Sequence, residues 1–203
     1  MRLAPPGGSP GGACGARYTA GMPGGTSIAT RRVHSPLGEL LVSASERGVR
    51  VVRFPPCIDS VSEAGSAGAA RCLDVLVGEL HDYFQGRLQS FSVPMDLEGT
   101  EFQRRVWDAL RQIGFGRTAT YADLARSAGS ETAFRAVGAA NGANRLPILI
   151  PCHRVIASDG TLGGYSGELW RKRWLLEHER RVAGLPPLDL FEFKLPTSEA
   201  ASG

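Results

Sequence analysis

The chain has 203 residues, 42% of them hydrophobic and 21% charged, enough to bury a core as one domain or two small ones. No apolar run approaches the roughly 20 residues that span a bilayer, and the N-terminus lacks the charged-then-apolar pattern of a signal peptide. Membrane partners are therefore excluded and a cytoplasmic location is expected. The net charge of +3 says little alone, but residues 101–182 hold 13 Arg and Lys against 8 Asp and Glu. All but Lys172 of those cations are Arg, whose planar fork suits phosphates and base edges; a coding bias toward Arg is the alternative at this point.

Residues 1–26 are dominated by Gly, Pro and Ala, cannot repay their ordering entropy, and predict a disordered tail. From Ser27 short β-like runs follow, "SIATRRVHS", "GELLVSA" and "VRVVRF", with Gly48 placed for a hairpin loop of positive φ. A small antiparallel sheet over 28–54 is expected, then a loop over 58–70. An apolar stripe of Leu73, Leu76, Val77, Leu80 and Phe84, ended by Gly86, predicts a helix from about Ala69 to Gln85. These elements make a small α/β domain over 27–94. A second domain is expected over 95–182, and a C-terminal extension over 183–203.

The second half opens on a helix with the Thr100-x-x-Gln103 spacing of a capping box and a stripe of Phe102, Val106, Leu110 and Ile113. "YADLARSAG" and "SETAFRAVGAANGAN" predict two short helices joined through Gly129, the dimensions of a helix-turn-helix. In the second of them Arg135 is the only long polar side chain between 133 and 143, among Ala and Gly. Alone, so bare a helix suits tight internal packing. Beside an Arg-rich segment it points to the DNA minor groove, which is too narrow for a helix with bulky side chains.

The four cysteines, Cys14, Cys57, Cys72 and Cys152, are dispersed, with no Cys-x-x-Cys pair and no near His except His153. Neither a disulfide framework nor a metal site is expected. Cys152 and His153 follow Pro151 in "LPILIPCHRVIASDG", which the proline makes extended or turn-like. Neighbours in an extended chain point to opposite sides, so a bridging water rather than direct contact would carry a proton from thiol to imidazole. A His base needs an orienting acceptor, and "ELWRKRWLLEHER" offers Glu177 and Glu179, unless that helix is a surface helix with solvated charges.

The stretches "GTEFQRRVWDAL", "YADLA", "RAVGAANGAN", "PILIPCHRVIASDG", "GGYSG" and "RKRWLLEHE" together resemble the O6-alkylguanine-DNA alkyltransferases over about residues 27–182. The resemblance implies an α/β N-terminal domain of ribonuclease-H-like shape and a mostly α C-terminal domain with a winged-helix-like helix-turn-helix. It also implies repair of double-stranded DNA by a cofactor-free monomer. The alkyl group of O6-alkylguanine passes irreversibly to Cys152, once per chain, after base flipping; O4-alkylthymine stays open as a second substrate.

By the same resemblance His153 is the water-linked base, Glu179 orients it, and Asn144 braces the turn before the reactive Cys. Tyr121, Arg135, Ala136 and Asn141 contact DNA, with Tyr121 pushing on the target phosphate and Arg135 filling the gap left in the stack. Tyr165, Ser166 and Pro147 line the pocket. The chain departs from the family pattern at Gly114, where proline is common, at Phe134, where a small residue is usual, and at Glu168 and Trp170 after the closing loop. The rivals are a lesion-binding relative, which would lack Cys152, a transcriptional regulator reading the major groove, and a thiol hydrolase.

Overall fold

The computed structural model describes residues 27–54 and 65–188. The expected tail over 1–26, Cys14, Cys57 and the extension beyond 188 lie outside the described residues. Strands β1 (Ala29–Ser35), β2 (Gly38–Ser45) and β3 (Gly48–Arg53) form an antiparallel sheet in the order β1-β2-β3. Alternate residues Leu40, Val42 and Ala44 of β2 are buried, as one pleated face against a core requires. Helix α1 (Ala67–Phe84) covers that face with Ala69, Leu73, Leu76, Leu80 and Tyr83. It begins two residues before the expected start and so takes up the end of the expected loop. The cause is Ser66, whose side chain accepts from the Ala69 amide and caps the first turn.

Gly48 serves two purposes. Its φ is +148°, and a Cβ there would sit 2.4 Å from the Pro94 carbonyl oxygen. The bare glycine lets the segment leading to the second half lie against β3, where Val49 N donates to Pro94 O and Asp96 N to Val49 O, both at 2.8 Å.

The second half holds α2 (Glu101–Arg111), α3 (Tyr121–Ser127), α4 (Phe134–Gly142) and α5 (Leu169–Val182). The Thr100–Gln103 capping box forms as expected, and Thr120 with Asp123 makes a second one at the start of α3. Gly129, at φ +66°, ends α3 and opens the turn to α4. Two-residue strands β4 (Ala119–Thr120) and β5 (Val155–Ile156) pair in parallel and bring the start of α3 beside the segment that follows the Cys-His pair.

Of the two forms expected for the stretch around Cys152, extended or turn-like, it takes the turn. Pro151 (φ −80°, ψ 60°) makes an inverse γ-turn, with Cys152 N donating to Ile150 O at 2.8 Å, and Cys152–Arg154 form one 3-10 turn. Successive side chains of a 3-10 turn still diverge, because three residues complete the circle.

Candidate active site

Ahead of Cys152 the chain folds tightly from Asn144 to Pro151. Ile148 has φ +77°, a conformation a β-branched residue adopts only when its surroundings impose it. Asn144 imposes it with both ends of its carboxamide: Nδ2 donates to Ile150 O at 2.8 Å, and Oδ1 accepts from Leu146 N at 2.9 Å. Both the Asn144 side chain and Pro147 are buried in this turn. Arg145 O accepts from Val52 N of β3 at 2.9 Å, so the sheet of the first half abuts the same turn.

Cys152 is buried, 3% exposed. Burial pushes its thiol up, against the opposing pull of the Asn144 side chain and the Lys172 ammonium. The same burial pushes His153 down, outweighing the attraction of Glu179. The resting pair is therefore a neutral thiol beside a neutral imidazole, and not the thiolate–imidazolium pair that adjacency alone suggests.

Glu179 settles the choice between the two carboxylates of α5. Glu177 is exposed and pairs with Arg173, whereas Glu179 is fully buried and meets His153 Nε2 at 2.9 Å. Holding the Nε2 proton on the carboxylate side leaves Nδ1 as the free acceptor of the ring. Nδ1 is buried and has no partner among the described residues.

Glu179 also accepts from Tyr83 Oη at 2.8 Å, from Arg154 Nε and Nη2 at 2.8 and 2.9 Å, and from Gly116 N at 3.0 Å. Burial by itself would push this carboxyl up. The charges and donors of His153 and Arg154 reverse that and hold it well below the usual carboxylate range.

Three of these groups were not visible in the sequence reading. Arg154 lies within "IPCHRV" but carries no sign that it turns inward, Tyr83 looks like an ordinary core aromatic, and Gly116 acts only through its backbone. Lys172 stands out in the sequence solely as the one lysine among the arginines of this half. It is fully buried, with Nζ on the carbonyls of Val155, Leu162 and Gly164, and burial brings it to about 8. Lys172 thus ties the loop carrying Tyr165 and Ser166 to the strand after the reactive turn.

Tyr121 lies between α4 and that loop: a Cβ on Gly163 would be 3.3 Å from its ring, and one on Gly138 4.0 Å. Burial, then proximity to Cys152, pushes both the Tyr121 and Tyr165 phenols up, so both stay protonated at neutral pH. The Tyr165 ring packs 6.2 Å from Phe54, and its hydroxyl is buried without a partner among the described residues; Ser166 is exposed. Arg171 lies over Phe54 and donates Nε to Leu37 O at 2.9 Å, so the first half props the loop from behind.

Helix α4 packs by one face and leaves the other bare. Val137, Ala140 and Asn141 face inward, and Trp107 of α2 donates to the Ala140 carbonyl at 2.9 Å. Arg135, Ala136, Ala139, Gly142 and Ala143 are exposed and leave a bare outer face, with Phe134 (50% exposed) beside Arg135. Asn141, assigned to DNA with Arg135, is only 6% exposed and does not share that face.

Comparison with known proteins agrees with this arrangement. Residues 29–97 match the 6-O-methylguanine DNA methyltransferase ribonuclease-like domain, and residues 101–181 match the DNA binding domain of the same family. The methylated-DNA–protein-cysteine methyltransferase of Mycobacterium tuberculosis is 50% identical over 163 residues, 80% of this chain and 97% of the relative. The constitutive enzyme of that name from Bacillus subtilis is 38% identical over 155 residues, 72% of this chain and 92% of the relative. Among solved structures, Mycobacterium tuberculosis OGT in complex with DNA superposes with a TM-score of 0.69 at 40% identity, covering 81% of this chain and 99% of that one. With both halves matched in order over residues 29–97 and 101–181, the chain belongs to the 6-O-methylguanine DNA methyltransferase family.

Proposed function

We propose that this protein repairs DNA by direct reversal, moving the alkyl group of O6-alkylguanine in double-stranded DNA onto Sγ of Cys152. The observation that carries the reading is the buried line Cys152, His153, Glu179, in which Glu179 holds Nε2 and leaves Nδ1 as the proton acceptor. The O6 of guanine lies inside a paired stack, so the nucleotide must leave the duplex at a cost of a few kcal/mol. Arg135 at the head of the bare face of α4 has the planar, cationic group to fill the gap, and Tyr121 stands between that helix and the pocket loop. Ala136 gives a smooth approach to the minor groove. Tyr165, Ser166 and Pro147 shape the pocket.

In the chemical step Cys152 passes its proton through a water to His153 Nδ1 as Sγ attacks the alkyl carbon. The C–S bond forms, the C–O6 bond breaks, and the electron pair stays on guanine, which receives the proton that His153 took up and remains in the strand as the normal base. Glu179 stabilises the transient imidazolium. The thioether product has no carbonyl for water to attack, so each chain acts once. The reading is of a monomer in the cytoplasm that needs no cofactor. O4-alkylthymine is a second candidate substrate of the same pocket.

The test is intact-protein and peptide mass spectrometry after incubation with duplex carrying one O6-methylguanine. The expected result is one methyl group per chain, on Cys152, and none on a Cys152→Ser chain. Methyl on Cys72, or several lesions repaired per chain, would refute the mechanism.

A further inference from the structure

Tyr83 lies on α1, in the first half of the chain, and none of the roles above uses it. Its ring is fully buried among Phe84, Phe91, Phe115 and His178, which accounts for an aromatic residue there. Packing does not account for the hydroxyl, which reaches α5 and donates to Oε1 of Glu179 at 2.8 Å. We infer that Tyr83 is a positioning residue for alkyl transfer: its hydroxyl holds the Glu179 carboxylate in the orientation, and at the basicity, that keep His153 a neutral base. This rests on the proposed transfer to Cys152.

Oε1 of Glu179 is shared by three donors, Tyr83 Oη, His153 Nε2 and Arg154 Nη2. Donors to one oxygen draw on the same lone pairs, so removing the phenol leaves more electron density for the His153 N–H. A more basic carboxylate favours the imidazolium, and an imidazolium cannot take the Cys152 proton. The titratable groups around His153 are Glu179 and Lys172 on α5, Arg154 and Cys152 in its own turn, Tyr165 in the loop above, and Tyr83 behind Glu179. Arg154 and Lys172 oppose the imidazolium, Glu179 favours it, and Tyr83 moderates Glu179. The first half of the chain thereby contributes to the chemistry itself.

The experiment measures the rate of benzyl transfer from free O6-benzylguanine to Cys152 from about pH 5 to pH 8, the range in which His titrates. Wild type, Tyr83→Phe and Phe91→Leu are compared, the last disturbing the same aromatic cluster without touching the hydroxyl. In Tyr83→Phe the acid-side half-point is expected to rise by about half a pH unit, a shift in reach of one charge-assisted hydrogen bond. Phe91→Leu should leave it in place. An unmoved half-point in Tyr83→Phe overturns the inference, as does an equal shift in both variants or a Tyr83→Phe chain that does not fold. Failure of the wild type to accept both the benzyl group and the methyl group of an O6-methylguanine duplex would instead overturn the proposed function.

Discussion

Asn144 holds the reactive turn with the two ends of one carboxamide, and Ile148 at φ +77° shows that the turn is held against a backbone preference. Replacing Asn144 by Ala strands the Leu146 amide in the interior, at about 1–3 kcal/mol for a buried group left unpaired, and takes from the Ile150 carbonyl one of its two donors, leaving it the Cys152 amide. Asn144→Ala is therefore expected to lose about 2–4 kcal/mol in urea unfolding. It should also slow transfer to Cys152, whose amide bonds to the same Ile150 carbonyl. A loss under about 1 kcal/mol, the size of an ordinary surface change, would show that the turn stands without it.

At the scale of elements, α4 divides its labour by face. Its inner residues pack against α2 and α3, while its outer face carries no large side chain but Phe134 and Arg135. Arg135 is exposed and pairs with no carboxylate among the described residues, so its removal costs the fold little. Arg135→Ala is expected to react with free O6-benzylguanine at the wild-type rate and to repair duplex at least about tenfold more slowly, the worth of one stacking contact. Single-turnover kinetics on both substrates measure this, and equal losses would place Arg135 in the chemistry instead. Both capping boxes act at this scale too, since Thr120 and Asp123 fix the helix start on which Tyr121 sits.

Across the whole molecule, burial of titratable groups sets the pH range of stability. Burial lowers His153 and His178, so between their folded values and about 6.5 the unfolded chain binds more protons, and stability falls as pH drops through that window. Glu179 is also held low in the fold. Its contribution is present above the unfolded value of about 4.3 and is lost as pH falls below it. Thermal melts should therefore show a first decline in Tm from pH 7 to about pH 5 and a second, steeper one below about pH 4. In a Glu179→Gln chain the second decline should shrink, and Tm at pH 7 should fall sharply because Arg154 is left buried without its counter-charge. A Glu179→Gln chain whose melting curve tracks the wild type across the range would show that the buried pair carries no such weight.

Local chemistry by itself determined a good part of this protein. The Thr100–Gln103 box, the breaks at Gly48 and Gly129, the stripe of α1 and the bare face of α4 follow from neighbours a few residues apart, whose interactions are the same in any fold. The Cys152–His153 pair and its family pattern were legible for the same reason. Glu179 was half legible: the residues alone offer Glu177 beside it, though only Glu179 is in helical phase with the buried Leu175 and Leu176, and it was the family resemblance that chose Glu179. Only the tertiary structure decided the protonation of the pair, because burial and not adjacency sets both pKa directions. It alone also brought Arg154 inward, buried Lys172 under the pocket loop, and carried the Tyr83 hydroxyl to Glu179 across 96 residues of sequence. No periodicity records such a contact, since it depends on where two packed surfaces meet and on an ionised carboxylate that must find its donors once water is gone.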